Sequence, residues 1–126
     1  MSRFLPPDHS KGDERTIGGY ELVNGRPAAL EGTDGFAYSV AILNDETRVS
    51  GRPPYAAYFL FLRWRRVGEE GVEGHVESEF LEFAESREGA MQLLRQWPIE
   101  KVQDHLNALL ELHRVVGASG DDGEDA

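Results

Sequence analysis

One histidine and two glutamates stand at alternate positions of the chain, as His75, Glu77 and Glu79. Residues two apart on a β-strand project from the same face, about 7 Å from one another, so a strand would present an imidazole beside two carboxylates. Such a set suits the binding of a divalent metal ion or acid–base chemistry. No second histidine lies nearby and no metal-binding motif surrounds the three residues, so we predict neither a metal site nor a bound cofactor.

Arginines precede this acidic segment. Residues 48–66 contain five arginines and no acidic residue, and residues 63–66 read Arg-Trp-Arg-Arg. Clustered guanidinium groups around an aromatic ring are typical of nucleic-acid contacts, where phosphates bind the cations and a base stacks on the ring. Residues 67–88 then carry eight glutamates and one arginine. Because cations and anions adjoin in the chain, we favour the interpretation that they pair with each other, and we do not expect nucleic-acid binding.

A β-hairpin would bring the two charged segments together. We predict a register that sets Arg63 opposite Glu79 and Arg65 opposite Glu77, with the preceding aromatic residues opposite apolar ones. Each cross-strand charge pair contributes about 0.2–1 kcal/mol, and a shift of one residue would remove every match. On this interpretation the charges have a structural role.

A small-molecule or metal-binding site, or an enzyme active site, is the alternative for the same residues. On this hypothesis a pocket lies between a curved sheet and the helices, and its rim is formed by Arg63, Arg65, His75, Glu77 and Glu79. Alanine at either glutamate separates the two interpretations. Loss of a site residue abolishes ligand binding, whereas loss of a structural charge pair lowers stability slightly.

The strand that carries these arginines is the clearest element of the sequence. Residues 55–66 are rich in aromatic side chains and apolar on both faces in their first half, a pattern typical of a strand in the middle of a sheet. Residues 36–43 and 76–83 have the pattern of further strands. Residues 20–23 and 26–30 flank an Asn-Gly pair, which is favoured in two-residue type I′ turns, so we predict a hairpin there.

Helix signals are confined to the C-terminal third of the chain. Ser86 can cap a helix that begins at Arg87, and Pro98 suits the first turn of a second helix. In this second helix, apolar residues recur at spacings of three and four from Ile99 to Val116. The predicted fold class is therefore α+β, an antiparallel sheet of about four to five strands with one or two C-terminal helices packed on it.

Composition limits the classes of protein to which the chain belongs. It has 126 residues, no cysteine and a formal net charge of −10, which together favour one acidic domain without disulfides. The charge opposes attraction to nucleic-acid phosphates and to anionic lipid. No window is apolar enough to span a membrane and residues 1–15 lack a signal-peptide core, so we expect a cytoplasmic protein. Residues 16–116 are expected to form the domain, between disordered tails at 1–15 and 117–126.

The apolar character of residues 55–64 on both faces leads to the functional prediction. One or two helices can cover only one face of the sheet, and the second face then needs another cover. We expect a non-catalytic interaction or regulatory protein that self-associates, with a homodimer or another protein as the partner and no association with a membrane.

Overall fold

The computed structural model describes residues 9–64 and 71–120, with the backbone alone for 113–120. Its elements follow in the order α1 (Ile17–Asn24), β1 (Ala29–Glu31), β2 (Ala37–Glu46), β3 (Tyr55–Trp64), β4 (Val72–Glu77), β5 (Glu82–Ala84), α2 (Arg87–Arg95) and α3 (Ile99–Gly120). The pairings among these strands are antiparallel. The predicted α+β class is confirmed, and so are the two C-terminal helices. Residues 1–8 and 121–126 of the predicted tails lie outside the described residues.

The strand β3 lies in the middle of the sheet, as its sequence predicted. On one side it pairs with β2, where Val40 lies opposite Phe61 and Ile42 opposite Phe59. On the other side it pairs with both β4 and β5, and β1 extends the sheet beyond β2. A strand that is apolar on both faces is favoured in this central position, because the neighbouring strands on both of its edges shield part of its side chains from water.

The single strand predicted for residues 76–83 is wrong, because the chain leaves the sheet between β4 and β5. Ser78 bridges the break: its N–H donates to the carbonyl of Phe59, and its Oγ accepts from the Phe59 N–H, both at 2.9 Å. Farther on, the N–H of Leu81 donates to the carbonyl of Ala57 at 2.9 Å. The buried hydroxyl of Ser78 thus replaces a main-chain acceptor that a continuous strand would have supplied.

The register predicted for the charge pairs between β3 and the following glutamates is also wrong. Arg63 lies opposite Gly74, so Glu79 is not its partner in the sheet. Arg65, which was expected to face Glu77, falls outside the described residues, and Glu77 is already the cross-strand neighbour of Leu60. The structural interpretation of the charges therefore needs different partners for Arg63.

The observed register is the one that buries apolar side chains. Val76 lies opposite Phe61 and is 9% exposed beneath the helices, whereas Glu77 is exposed to solvent. Burying a valine-sized side chain contributes about 1.5–3 kcal/mol, against about 0.2–1 kcal/mol for a cross-strand charge pair. The predicted register differs from the observed one by an odd number of residues, so it assigned the inward residues of this strand to the wrong face.

The hairpin predicted around Asn24 and Gly25 is a helix end. Thr16 caps α1 by accepting a hydrogen bond from the Gly19 N–H at 3.0 Å. Gly25 ends the helix in the left-handed region, with φ of 71°, and its N–H donates to the carbonyl of Glu21 at 2.8 Å. An Asn-Gly pair suits a left-handed helix cap as well as a type I′ turn, which is why the dipeptide did not distinguish them.

The helices all pack on the same face of the sheet, which we call the covered face. Ser86 caps α2 as predicted, by accepting from the Gly89 N–H at 3.0 Å. The spacing predicted for α3 is confirmed as far as Leu109 by the burial of Val102, Leu106 and Leu109; the side chains of residues 113–120 lie outside the described part. The covered face and the helices share one core, which includes Ile17, Leu30, Tyr38, Val40, Phe59, Phe61, Val76, Ala90, Leu94, Val102 and Leu106.

Candidate functional site

The second face of the sheet is apolar and carries no helix in the part of the chain that the structure describes. We call it the open face. Its side chains come from alternate residues of β2 and β3, which point away from the core, and from β4, β5 and the segment between them. Trp64 is 40% exposed and Phe80 is 36% exposed. The apolar members of the open face are Ala41, Leu43, Tyr58, Leu60, Leu62, Trp64, Val72, Phe80 and Phe83.

Aromatic rings at one end of the open face hold one another in place. The ring of Phe80 lies 5.7 Å from that of Tyr58 and 6.2 Å from that of Phe83, in tilted and edge-to-face geometry. The guanidinium group of Arg52 stacks 4.7 Å from the centre of the Phe83 ring. Such contacts are worth about 0.5–1.5 kcal/mol each beyond the burial of area. This end of the face is therefore organised before any partner binds.

Polar groups border the open face and leave its middle apolar. At the end opposite the aromatic cluster, the indole N–H of Trp64 donates to Oγ of Ser39 at 3.0 Å. Burial raises the pKa of Tyr58, and the nearby carboxylates of Glu77 and Asp45 raise it further. An apolar centre within a polar rim is the usual anatomy of a protein–protein interface. The second apolar face expected from the sequence is confirmed.

A charged cleft of about 480 Å³ lies at one end of the covered face, between the β1–β2 turn, the paired ends of β3 and β4, and α3. Arg63 is its cation: Nη1 lies 3.3 Å from Oδ2 of Asp34, and Nε lies 3.9 Å from Oε1 of Glu73. The guanidinium group also stacks 4.6 Å from the centre of the Phe36 ring. Arg63 thus pairs with Asp34 and with Glu73 of the glutamate-rich segment, but not with Glu79, which the predicted register set opposite it.

Asp34 connects Arg63 to a buried phenol. The hydroxyl of Tyr38 donates to Oδ2 of Asp34 at 2.5 Å. Burial opposes the ionisation of Asp34, but hydrogen bonds from Tyr38, from the Phe36 N–H and from Arg63 outweigh it and lower the pKa of Asp34. Burial and the charge of Asp34 raise the pKa of Tyr38 to about 12. At neutral pH the three groups are a protonated phenol, a carboxylate and a guanidinium ion that stabilise one another.

The five residues predicted for a ligand site occupy separate places. Arg63 lines the charged cleft; His75 borders it, but it lies opposite Leu62 in the sheet, so its side chain is on the side of the open face. Glu77 lies at the rim of the open face, and Glu79 lies 3.4 Å from Nε2 of His105 on α3. Arg65 is outside the described residues. Within the described ranges, no group of three or more histidine, aspartate or glutamate side chains is arranged to hold a metal ion.

Sequence reasoning missed Asp34 and Tyr38, which are the polar partners of Arg63. The available signal was the strand pairing between β2 and β3, which sets Tyr38 directly opposite Arg63. An aspartate four residues before a tyrosine, across a tight Asp-Gly turn, can reach back to the phenol once the hairpin forms. The charge runs drew attention to the other side of β3.

Comparison of the chain with protein-family models, with curated proteins and with solved structures finds no match. Among residues 9–64 and 71–120, no helix has both the length and the apolarity that crossing a membrane requires. A function for this protein must therefore be argued from its surfaces.

Proposed function

We propose that this protein is a non-catalytic interaction domain that self-associates, with the open face of one copy packed against the open face of a second. The observation that carries the proposal is the open face itself. Large contiguous apolar patches on a folded chain mark interaction sites, because their exposure to water is unfavourable. Leu60 and Leu62 lie in the middle of this patch, flanked by aromatic residues at both ends.

The size of the open face supports a specific dimer. A sheet of three to four strand positions and about ten residues in length presents about 500–650 Å², from a strand spacing of about 4.8 Å and a rise of about 3.4 Å per residue. Specific complexes bury about 800 Å² on each partner. The open face together with its polar rim approaches this area, and two sheets stacked face to face are a common way to bury such surfaces.

The chemistry of the charged cleft supports a binding role over catalysis. Tyr38 and Arg63 both donate hydrogen bonds to the carboxylate of Asp34. A tyrosine whose pKa is raised to about 12 keeps its proton at neutral pH and is a poor general base there. These groups stabilise the end of the sheet.

Sedimentation equilibrium over a wide range of protein concentrations tests the proposal. The wild type should approach twice the monomer mass, and Leu62→Lys should remain a monomer because it places an ammonium group in the middle of the interface. Leu22→Lys is the matched control, since Leu22 is 59% exposed on α1, away from the open face. A wild type that stays monomeric at high concentration, or two variants with the same association, would contradict the proposal.

Small-molecule binding in the charged cleft is a second candidate function. It is favoured by one observation: Nε of Arg63 is buried and has no hydrogen-bond partner among the described residues. A ligand with an acceptor atom would satisfy this donor. A thermal-shift screen with small carboxylic and phosphorylated acids tests it. A hit should stabilise the wild type more than Arg63→Lys, which keeps the positive charge but lacks the Nε donor, and equal stabilisation of both would remove this candidate.

A further inference from the structure

The outer edge of β2 is largely unpaired in the structure. The strand has ten residues, but β1 pairs with it only along Ala37, Tyr38 and Ser39. From residue 41 onward, no other strand in the described part of the chain lies beside this edge. An edge of this kind presents a row of main-chain donors and acceptors that can accept another strand.

The hydrogen bonds of the neighbouring ladder show which groups face outward. The N–H of Thr47 donates to the carbonyl of Pro54 at 2.7 Å, on the β3 side of β2. Because main-chain groups alternate in direction along a strand, the odd-numbered residues of β2 bond to β3. The N–H and C=O groups of Ile42 and Asn44 therefore point away from the sheet. Within residues 9–64 and 71–120, these main-chain groups have no hydrogen-bond partner.

A groove of about 250 Å³ runs beside this edge, between β2, α1 and α2. Apolar side chains of Ile17, Ile42 and Met91 line it, and Glu21 and Arg95 are its charged members. The guanidinium group of Arg95 is already bonded to Glu88 at 2.9 Å. The groove thus offers an apolar recess next to a free strand edge, which is the combination that strand addition uses: main-chain bonds for affinity and a side-chain pocket for specificity.

We propose that the outer edge of β2 binds an extended segment of another protein, which adds to the sheet as a further strand. The main-chain groups of Ile42 and Asn44 would pair with the segment, and an apolar side chain of the segment would enter the groove. The carboxylates of Glu21, Asp45 and Glu46 are exposed near the edge, while the guanidinium group of Arg87 there donates to Oδ1 of Asn44 at 2.8 Å; the chain as a whole carries a net charge of −10. A segment with basic residues beside its apolar ones therefore fits best.

A second folded copy fits this edge less well than a lone segment. Two β2 strands paired edge to edge are related by a two-fold axis perpendicular to the sheet, which leaves the helices of both copies on the same side. Because α1 lines the groove beside β2, the two α1 helices would face each other across the axis. The edge site is independent of the self-association proposed for the open face.

The test uses a synthetic peptide of seven residues that alternates lysine and valine, with both ends blocked. Nuclear magnetic resonance should show that the peptide slows amide exchange at Ile42 and Asn44 by about tenfold or more, as expected for amides that gain hydrogen bonds. The odd-numbered amides of β2, which already bond to β3, should change little. The same peptide methylated on the main-chain nitrogens that face the edge should not bind.

Two substitutions at one position give a matched comparison. Asn44→Pro removes an outward N–H while leaving the ladder with β3 intact, and Asn44→Ala removes the same side chain but keeps the N–H. Both variants lose the side-chain hydrogen bonds of Asn44 to Arg87 and to Met91, so the comparison is between the two variants. Asn44→Pro should bind the peptide at least about tenfold more weakly than Asn44→Ala. If Asn44→Pro fails to fold, the methylated peptide carries the same test on the wild type.

Several outcomes would overturn the edge site. These are equal binding by the methylated and unmethylated peptides, shifts confined to the open face, and protection of Ile42 and Asn44 in dilute protein without peptide. Protection that grows with protein concentration instead would assign the edge to a second copy. Leu62→Lys should bind the peptide normally, so the edge site and the open-face dimer can fail separately.

Discussion

The two faces of the sheet begin from nearly equal hydrophobicity and end in different environments. On β3, Phe59 and Phe61 are fully buried beneath the helices, while the alternating residues Leu60 and Leu62 are only half-buried on the open face. The neighbouring strand β4 shows the difference between the faces, because it turns Val76 inward and polar residues outward. When a central strand is apolar on both faces, its neighbouring strands and the helices therefore determine which of its faces is buried in the core.

The largest predicted difference between the two faces is in how much stability is lost when an apolar side chain is truncated to alanine. Phe61→Ala should lower the free energy of unfolding by about 3–5 kcal/mol, because it leaves a cavity in the core. Leu62→Ala should lower it by about 1 kcal/mol in dilute protein, where the open face is only partly removed from water. Urea denaturation of both variants at low concentration measures the contrast. Equal losses would mean that the two faces are not distinct in the monomer.

The next largest effect is expected from the hydrogen-bonded polar groups at the end of the covered face. Tyr38→Phe removes a hydrogen bond to an ionised carboxylate and should lower the free energy of unfolding by about 1.5–3 kcal/mol. The pKa of Tyr38 is raised from about 10 in the unfolded chain to about 12. Its contribution to stability is therefore complete below pH 10 and is lost as the pH rises towards 12.

Stability should also be lost at low pH, because the pKa of Asp34 is lowered in the folded protein. We call the losses at low and at high pH the acid limb and the alkaline limb. Its contribution is present above the unfolded pKa of about 3.9 and is lost as the pH falls through the folded pKa. Denaturation measured across pH should show both limbs in the wild type and a weaker alkaline limb in Tyr38→Phe. An alkaline limb that is unchanged in Tyr38→Phe would show that this phenol does not cause it.

The smallest effect is expected at the rim of the open face. Glu77 is exposed, lies opposite Leu60 and forms no ion pair with another described residue. Glu77→Ala should change the free energy of unfolding by about 0.5 kcal/mol or less, as exposed substitutions commonly do. A loss above about 1 kcal/mol in thermal or urea unfolding would reveal a contact of Glu77 that supports the fold.

The sequence predicted those elements whose signal is local or strongly periodic. The aromatic run of β3, the Ser86 cap and the apolar repeat of α3 each specify one outcome, and each is observed. The Asn-Gly pair after α1 did not, because a left-handed glycine serves both a helix cap and a hairpin.

Long-range relations were harder to predict. The register between β3 and β4 depends on which residues of β4 face the core. In the sequence of β4, either the even-numbered or the odd-numbered residues could do so. Charge matching favoured one phase, and burial of Val76 favoured the other. The partner of Arg63 was missed for a related reason: Asp34 lies 29 residues away in the chain, and only the β2–β3 pairing brings it close. The apolar character of the open face, by contrast, could be predicted, because it comes mainly from the sequence of one strand, β3.

Fluorine resonance of protein labelled with fluorotryptophan tests the central claim most directly, since the chain has two tryptophans and they lie on opposite faces. Trp64 is on the open face, while Trp97 packs at 5.6 Å against Phe59 on the covered face. If the open face closes on a second copy, the Trp64 signal should shift or broaden as protein concentration rises while the Trp97 signal stays in place, and Leu62→Lys should abolish the change. A Trp64 signal that is the same from dilute to concentrated protein would contradict self-association through the open face.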